Sequence, residues 1–147
     1  AEVDALAQSA SYTTLYVTGH SLGAALATMA APDLARATRF YDTALAPLGF
    51  VRRATMEGEV GYGLPEDRRT RIWVTQPFDG KHATVGNGSM PAFAAPSQEA
   101  VRAFHKAALA AGGTDEGAPG LRPYGPSFFA AYVRDPDGNK LSAVHGA

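Results

Sequence analysis

The chain has 147 residues and carries 13 basic and 14 acidic side chains, a formal net charge of −1, with no cysteine. That length suits one domain, or one domain with a short appendage, and excludes two large ones. The missing cysteine excludes a disulfide, a thiolate nucleophile and a sulfur-based zinc site, and points to the cytoplasm; the mixed charge offers no surface for nucleic acid or for an anionic membrane. No stretch approaches the roughly 20 apolar residues that a bilayer span needs, and the opening Ala1-Glu2-Val3-Asp4 lacks the basic start of a signal peptide.

Residues 1–11 read as a short helix with Val3, Leu6 and Ala10 on one side. Residues 12–18 are rich in β-branched and aromatic side chains and read as a strand. It runs into Gly19-His20-Ser21-Leu22-Gly23, a G-x-S-x-G sequence of the kind in which a sharp strand-to-helix turn exposes a serine oxygen. Residues 22–31 are a run of good helix formers, which predicts a helix after that turn. A second helix is expected over residues 33–50. Asp33 caps its start and Gly49 supplies the left-handed residue that ends it. Leu34, Ala37, Tyr41, Ala44, Leu45 and Leu48 recur at helical spacing, with Arg36, Arg39 and Asp42 turned away.

Short strands follow at residues 51–56 and 60–63, then a polar loop at 65–69. A cleaner strand at 70–76 places Ile72 and Val74 on one face and Arg71, Trp73 and Thr75 on the other. The pattern then repeats. Residues 89–95 read as a strand, and Ser97 caps a helix whose apolar face is Val101, Phe104, Ala108 and Ala111 and which Gly112-Gly113 ends. Residues 114–126 are expected to be a glycine- and proline-rich loop. A strand at 127–134, a turn at 135–139 and a last strand at 140–144 complete the chain.

Two resemblances attach to particular residues. Tyr16-Val17-Thr18-Gly19-His20-Ser21-Leu22-Gly23-Ala24-Ala25-Leu26-Ala27-Thr28, and the residues back to about Tyr12, resemble the nucleophile elbow of the class 3, or fungal-type, lipases. That likeness implies a serine esterase in which Ser21 attacks an ester carbonyl and the backbone N–H of Leu22 contributes to the oxyanion hole. Asp135 or Asp137 followed by His145 would supply the acid and the base. Too few residues precede Ser21 for the earlier strands and oxyanion loop of such a hydrolase, so an inert fusion fragment stands beside the esterase as a reading.

The second resemblance is spread through the chain. The helix at 33–50, Gly86-Asn87-Gly88, Ala92-Phe93, Val101-Arg102-Ala103-Phe104-His105, Ala111-Gly112-Gly113, Gly117-Ala118-Pro119-Gly120 and Arg134-Asp135-Pro136-Asp137-Gly138-Asn139 resemble the glyoxalase/bleomycin-resistance, or vicinal oxygen chelate, family. The fold it implies is α+β, with paired βαβββ modules curled into an open cup. The chain then divides into an N-terminal strand-turn-helix segment, 1–32, and a glyoxalase-like domain, 33–147. Residues 12–18 are expected to pair with the first module in place of its missing opening strand.

Active members of that family hold a divalent metal through His, Gln and Glu, and the metal polarises vicinal oxygens of the substrate. Here the matching positions fall at Leu26, Met90 and Ser142, none of them a ligand for a hard metal. The expectation is therefore a domain with no metal and no cofactor, binding a small molecule or acting as a degraded lyase. Of the four histidines, His20 lies in the elbow, His82 in a loop and His105 on the second helix, while His145 ends the strand that would carry the glutamate. The residues expected to line an organic-ligand cup are Tyr62, Trp73, Phe93 and Tyr132, whose rings bury area and, in part, carry polar tips. The resemblance also implies that a homodimer is compatible with the fold.

Overall fold

The structure is a computed structural model that describes residues 27–86 and 88–146. Strand β1 is Ala27–Ala30, helix α1 is Leu34–Leu45, and a 3-10 turn, Ala46–Leu48, leads into β2 (Val51–Met56), β3 (Glu59–Gly63) and β4 (Ile72–Thr75). After a long connection come β5 (Ala92–Ala94), helix α2 (Gln98–Ala110), β6 (Thr114–Leu121), β7 (Phe129–Arg134) and β8 (Lys140–His145). Two sheets result, ordered β1-β4-β3-β2 and β5-β8-β7-β6. In each, the opening strand runs parallel to the last and the other pairs are antiparallel. This is βαβββ twice, the α+β arrangement expected.

Helix α1 has the start read from its sequence, but its α-helical part stops at Leu45, short of residue 50, and Gly49 ends the 3-10 turn that follows it. The Asp33 carboxylate accepts from the Arg36 N–H at 2.9 Å, and Gly49 sits at φ 84°, a conformation that costs a side chain dearly and glycine little. Ser97 caps α2 in the same way, accepting from the Ala100 N–H at 3.1 Å. Helix α1 packs on β2 and β4, α2 packs on β6, β7 and β8, and the two helices pack on each other. Val60, Tyr62, Ile72 and Val74 from the first sheet, and Phe129, Val133 and Leu141 from the second, meet Phe40, Tyr41, Val101 and Phe104 of the helices in one continuous core. Each such side chain contributes about 1.5–3 kcal/mol through removal from water. Because one core serves both modules, the opposite face of each sheet is turned outward.

A carboxylate closes the seam between modules. Asp135, 3 % exposed, accepts from the N–H groups of Asp137 and Asn139, from the Asn139 side-chain amide at 2.8 Å, and from the Tyr41 hydroxyl at 2.7 Å. Burial, and then the Asp135 charge, push the Tyr41 hydroxyl well above its usual range, so it acts as a donor. Arg36 of α1 pairs with Asp137 of the same turn.

Three expectations are corrected. The helix over 22–31 is overturned at Ala27–Ala30, which forms β1 in register with β4 from Ala27 opposite Ile72 to Ala30 opposite Thr75. Helix propensities differ by only tenths of a kcal/mol per residue, whereas pairing satisfies the backbone groups along one edge of β4 and buries Met29. The first module thus begins before residue 33 with its own opening strand, and the pairing expected of residues 12–18 lies outside the described residues, as does the helix at 1–11. Second, the strand expected at 89–95 contracts to β5. Third, much of the loop expected at 114–126 is β6, an edge strand whose register shifts at Gly117 and again before Gly120, so that its glycines and Pro119 fall where pairing is already irregular.

Candidate functional site

The outward face of the second sheet is built by alternation. On β7, Phe129, Ala131 and Val133 are buried against the core, which turns Tyr132 to the other side; on β8, Leu141 and Ala143 do the same for Ser142 and Val144. Register then lines up Ala92, Ser142, Tyr132 and Gly117 as one row across all four strands. These four residues border a cavity of about 580 Å³ whose lining comes entirely from residues 90–144. That volume is within the range of small-molecule sites. A Cβ on Gly117 would stand 2.8 Å from Cδ2 of Tyr132, so the ring lies down only because residue 117 has no side chain.

The walls differ in character. Met90, Ala92 and Val144 are apolar, and Tyr124 and Phe128 meet edge to face at 5.3 Å on one side. The Arg122 guanidinium sits 5.2 Å from the Tyr132 ring centre and Lys140 Nζ 5.6 Å from it. Arg122 donates through Nη2 to the carbonyls of Ala118 at 2.6 Å and Ala130 at 3.3 Å, both neutral. Among the described residues its Nε is buried without an acceptor, and the hydroxyl of Ser142, a residue 1 % exposed, is buried without a partner. Glu116, the carboxylate that lines the cavity, accepts from Arg134 Nε at 2.8 Å and faces Lys140 Nζ at 3.4 Å. Those cations, Arg134 foremost, hold its carboxyl below the usual range.

The residues expected to line a cup separate. Tyr132 borders the cavity. Tyr62 is 1 % exposed on the core face of β3, where its hydroxyl donates to Asp42 at 3.0 Å, and burial pushes its ionisation upward. Phe93 is buried on the core face of β5 and packs edge to face on Phe50 at 5.5 Å. Trp73 lies on the outward face of the first sheet, against Gly61, and not with Tyr132. Strand alternation carries this distinction: Tyr62 shares a face with Val60 and Phe93 flanks Ala92 on the opposite side.

Ser21, Leu22 and Leu26 lie outside the described residues. The helix that a nucleophile elbow needs after its serine is replaced by β1 from Ala27 onward. His145 faces the carbonyl of Ala95, 3.0 Å from Nδ1, and His105 Nε2 lies 2.8 Å from Asp115. Among the described residues no three His, Cys, Asp or Glu side chains converge as a metal set. Met90 and Ser142 do line the cavity, yet a thioether, an alcohol and a carboxylate already engaged by two cations do not fit a hard divalent ion. Arg122 escaped sequence reading because it sits in the stretch whose glycines and prolines suggest loop.

Comparison with known proteins follows the same geometry. The family model described as Glyoxalase/Bleomycin resistance protein/Dioxygenase superfamily matches residues 23–142. It therefore begins inside the stretch that resembles a lipase elbow, and neither that match nor β1 supports an elbow there. A glyoxalase/bleomycin resistance protein from Albidiferax ferrireducens is 40 % identical with a TM-score of 0.72, over 82 % of this chain and 96 % of its own. A glyoxalase-related enzyme from Fulvimarina pelagi is 19 % identical with a TM-score of 0.65, covering 85 % and 89 % of the two chains. The fosfomycin resistance protein FosX from Mesorhizobium loti is 16 % identical with a TM-score of 0.59, covering 88 % and 95 %. The last two speak for the fold alone, and no curated protein matches the chain. With most of its length inside the family match and a relative of high identity over nearly all of that relative's length, the chain belongs to the glyoxalase/bleomycin resistance protein/dioxygenase superfamily.

Proposed function

We propose that this protein binds a small organic molecule in the cavity of its second module and does so without a metal. The observation that carries the reading is that two residues lining one cavity, Arg122 and Ser142, each hold a buried donor, Nε and Oγ, with no partner among the described residues. A buried polar group left unpaired costs about 1–3 kcal/mol, which an incoming acceptor offsets. All lining residues belong to the second module, so the reading is independent of the homodimer that the family resemblance implies; sedimentation velocity tests that separately.

Closing the cavity tests the site. Ala92→Trp, on the outward face of β5, fills the space beside Ser142 while leaving the core untouched, and it is expected to abolish fragment binding seen by protein NMR without lowering the melting temperature by more than a few degrees, roughly 1 kcal/mol. Equal binding by the variant would reject the site. Added Mn²⁺, Ni²⁺ or Zn²⁺ is expected to move the melting temperature by less than about 1 °C, since only specific native-state binding stabilises. A saturable shift of several degrees at one equivalent would reject metal independence.

A further inference from the structure

We infer that the ligand of this cavity is an organic carboxylate on a flat, apolar body, anchored by Arg122 and Ser142; the inference rests on the second-module cavity being the binding site. Two cations, Arg122 and Lys140, line the cavity with one carboxylate, Glu116, which also pairs with Arg134 from outside the lining, in a chain whose net charge is −1. Glu116 answers Arg134 and Lys140. The two bonds of Arg122 go to carbonyl oxygens, which orient the guanidinium without neutralising it. A local excess of positive charge against low-dielectric walls attracts an anion.

The donors narrow the anion further. Arg122 Nε–H, on a side chain held by two carbonyls just past β6, and the Ser142 hydroxyl, on β8, are two buried donors with no partner among the described residues. A carboxylate has two oxygens in one plane and is served by that number; a phosphate dianion carries more charge and more acceptor oxygens than the pair can meet. The body of the ligand is specified by the rest of the lining. Met90, Ala92 and Val144 offer no hydrogen bonds, and the Tyr124–Phe128 pair presents aromatic surface at the mouth, with Tyr124 73 % exposed and free to stack.

The test titrates the full chain with 2-naphthoate and phenylacetate, each beside its neutral amide, by calorimetry and by amide NMR shifts, in the native protein and in Arg122→Gln, Arg122→Lys and Ser142→Ala. The acids are expected to bind saturably with shifts at Gly117, Tyr132 and Ser142, and their amides about tenfold more weakly. Arg122→Gln is expected to erase that preference, Arg122→Lys to keep part of it, and Ser142→Ala to weaken the acids about threefold. Amides that bind the same residues as tightly as the acids overturn the carboxylate anchor and leave the cavity standing as a binding site. Acids that bind Arg122→Gln undiminished, or that shift only first-module residues, overturn the anchor as well. If none of the four compounds perturbs the cavity residues, both the anchor and the site fall.

Discussion

The two outward sheet faces use one device to different ends. On the first, a Cβ on Gly61 would stand 2.7 Å from Thr70 and 3.0 Å from the Trp73 indole; on the second, a Cβ on Gly117 would stand 2.8 Å from the Tyr132 ring. Around Gly63, beside the first, Arg53 donates to the carbonyls of Leu64 and Pro65 at 2.8 Å each, and Asp67 accepts from the Leu64 N–H at 2.7 Å. Those polar groups have partners. Around Tyr132 the corresponding chemistry is left incomplete at Arg122 and Ser142. Register supplies the ring-on-glycine platform twice, and only beside the second do lining side chains hold buried donors with no partner among the described residues.

What the faces share is the core, and removing part of it gives the largest effect. Phe104→Ala is expected to cost about 3–5 kcal/mol. Because Phe104 packs in the cluster common to both modules, urea unfolding followed by Trp73 fluorescence and by NMR signals of the second sheet should remain one coincident transition. Separate midpoints would mean that the modules are energetically distinct.

The glycines sharpen the contrast. Gly61→Ala, by pushing Thr70 and the Trp73 ring aside, and Gly117→Ala, by pushing the Tyr132 ring aside, should each lose about 1–3 kcal/mol, measured as a shift of the denaturation midpoint. Only Gly117→Ala should also weaken ligand binding; equal losses from both would erase the functional difference between the faces. Ser142→Ala should go the other way in stability. Deleting an unpaired buried hydroxyl is expected to be neutral or to stabilise by up to about 1 kcal/mol, even as acid binding weakens.

Acid titration gives the smallest effect. Glu116 has an ordinary value of 4.5 that Arg134, and then Lys140, lower in the fold, so its contribution is complete above 4.5 and is lost as pH falls through the lowered value. Glu116→Gln should flatten that part of the stability profile, read from thermal melts across the acid range. Asp137 has the opposite sign. Burial raises its carboxyl above 3.8 despite Arg36, so its contribution is present below 3.8 and fades as pH rises through the folded value. Asp137→Asn should therefore improve relative to the native protein from pH 3 toward neutrality, by thermal melts at several pH values.

Much of the frame was legible because it rests on local chemistry. Asp33, Gly49 and Ser97 announce their caps, and the alternation of Ile72 and Val74 about Trp73 tells one sheet face from the other. Phe40 was missed from the apolar face of α1 even though it is fully buried, since α2 packs on that flank and widens the covered stripe. β1 and β6 were illegible for one reason: both are edge strands of short or irregular pairing, specified by the partner strand more than by their own residues. The site was half visible. Tyr132 could be read from its aromatic, polar-tipped side chain, but Tyr62 has the same qualities and faces the core, and Arg122 matters through a missing hydrogen bond, which no sequence displays.

The Tyr41–Asp135 bond joins residues 94 positions apart and sets the order in which the protein can be made. While the ribosome has delivered only the first module, Tyr41 has no acceptor, and Phe40, Ala44 and Leu45 lack the α2 surface that completes their burial. Apolar surface left uncovered at that stage is of the kind that draws nascent chains into aggregation. The bond between the modules is complete only once the turn at residues 135–139 has been made and its carboxylate reaches back to the first helix.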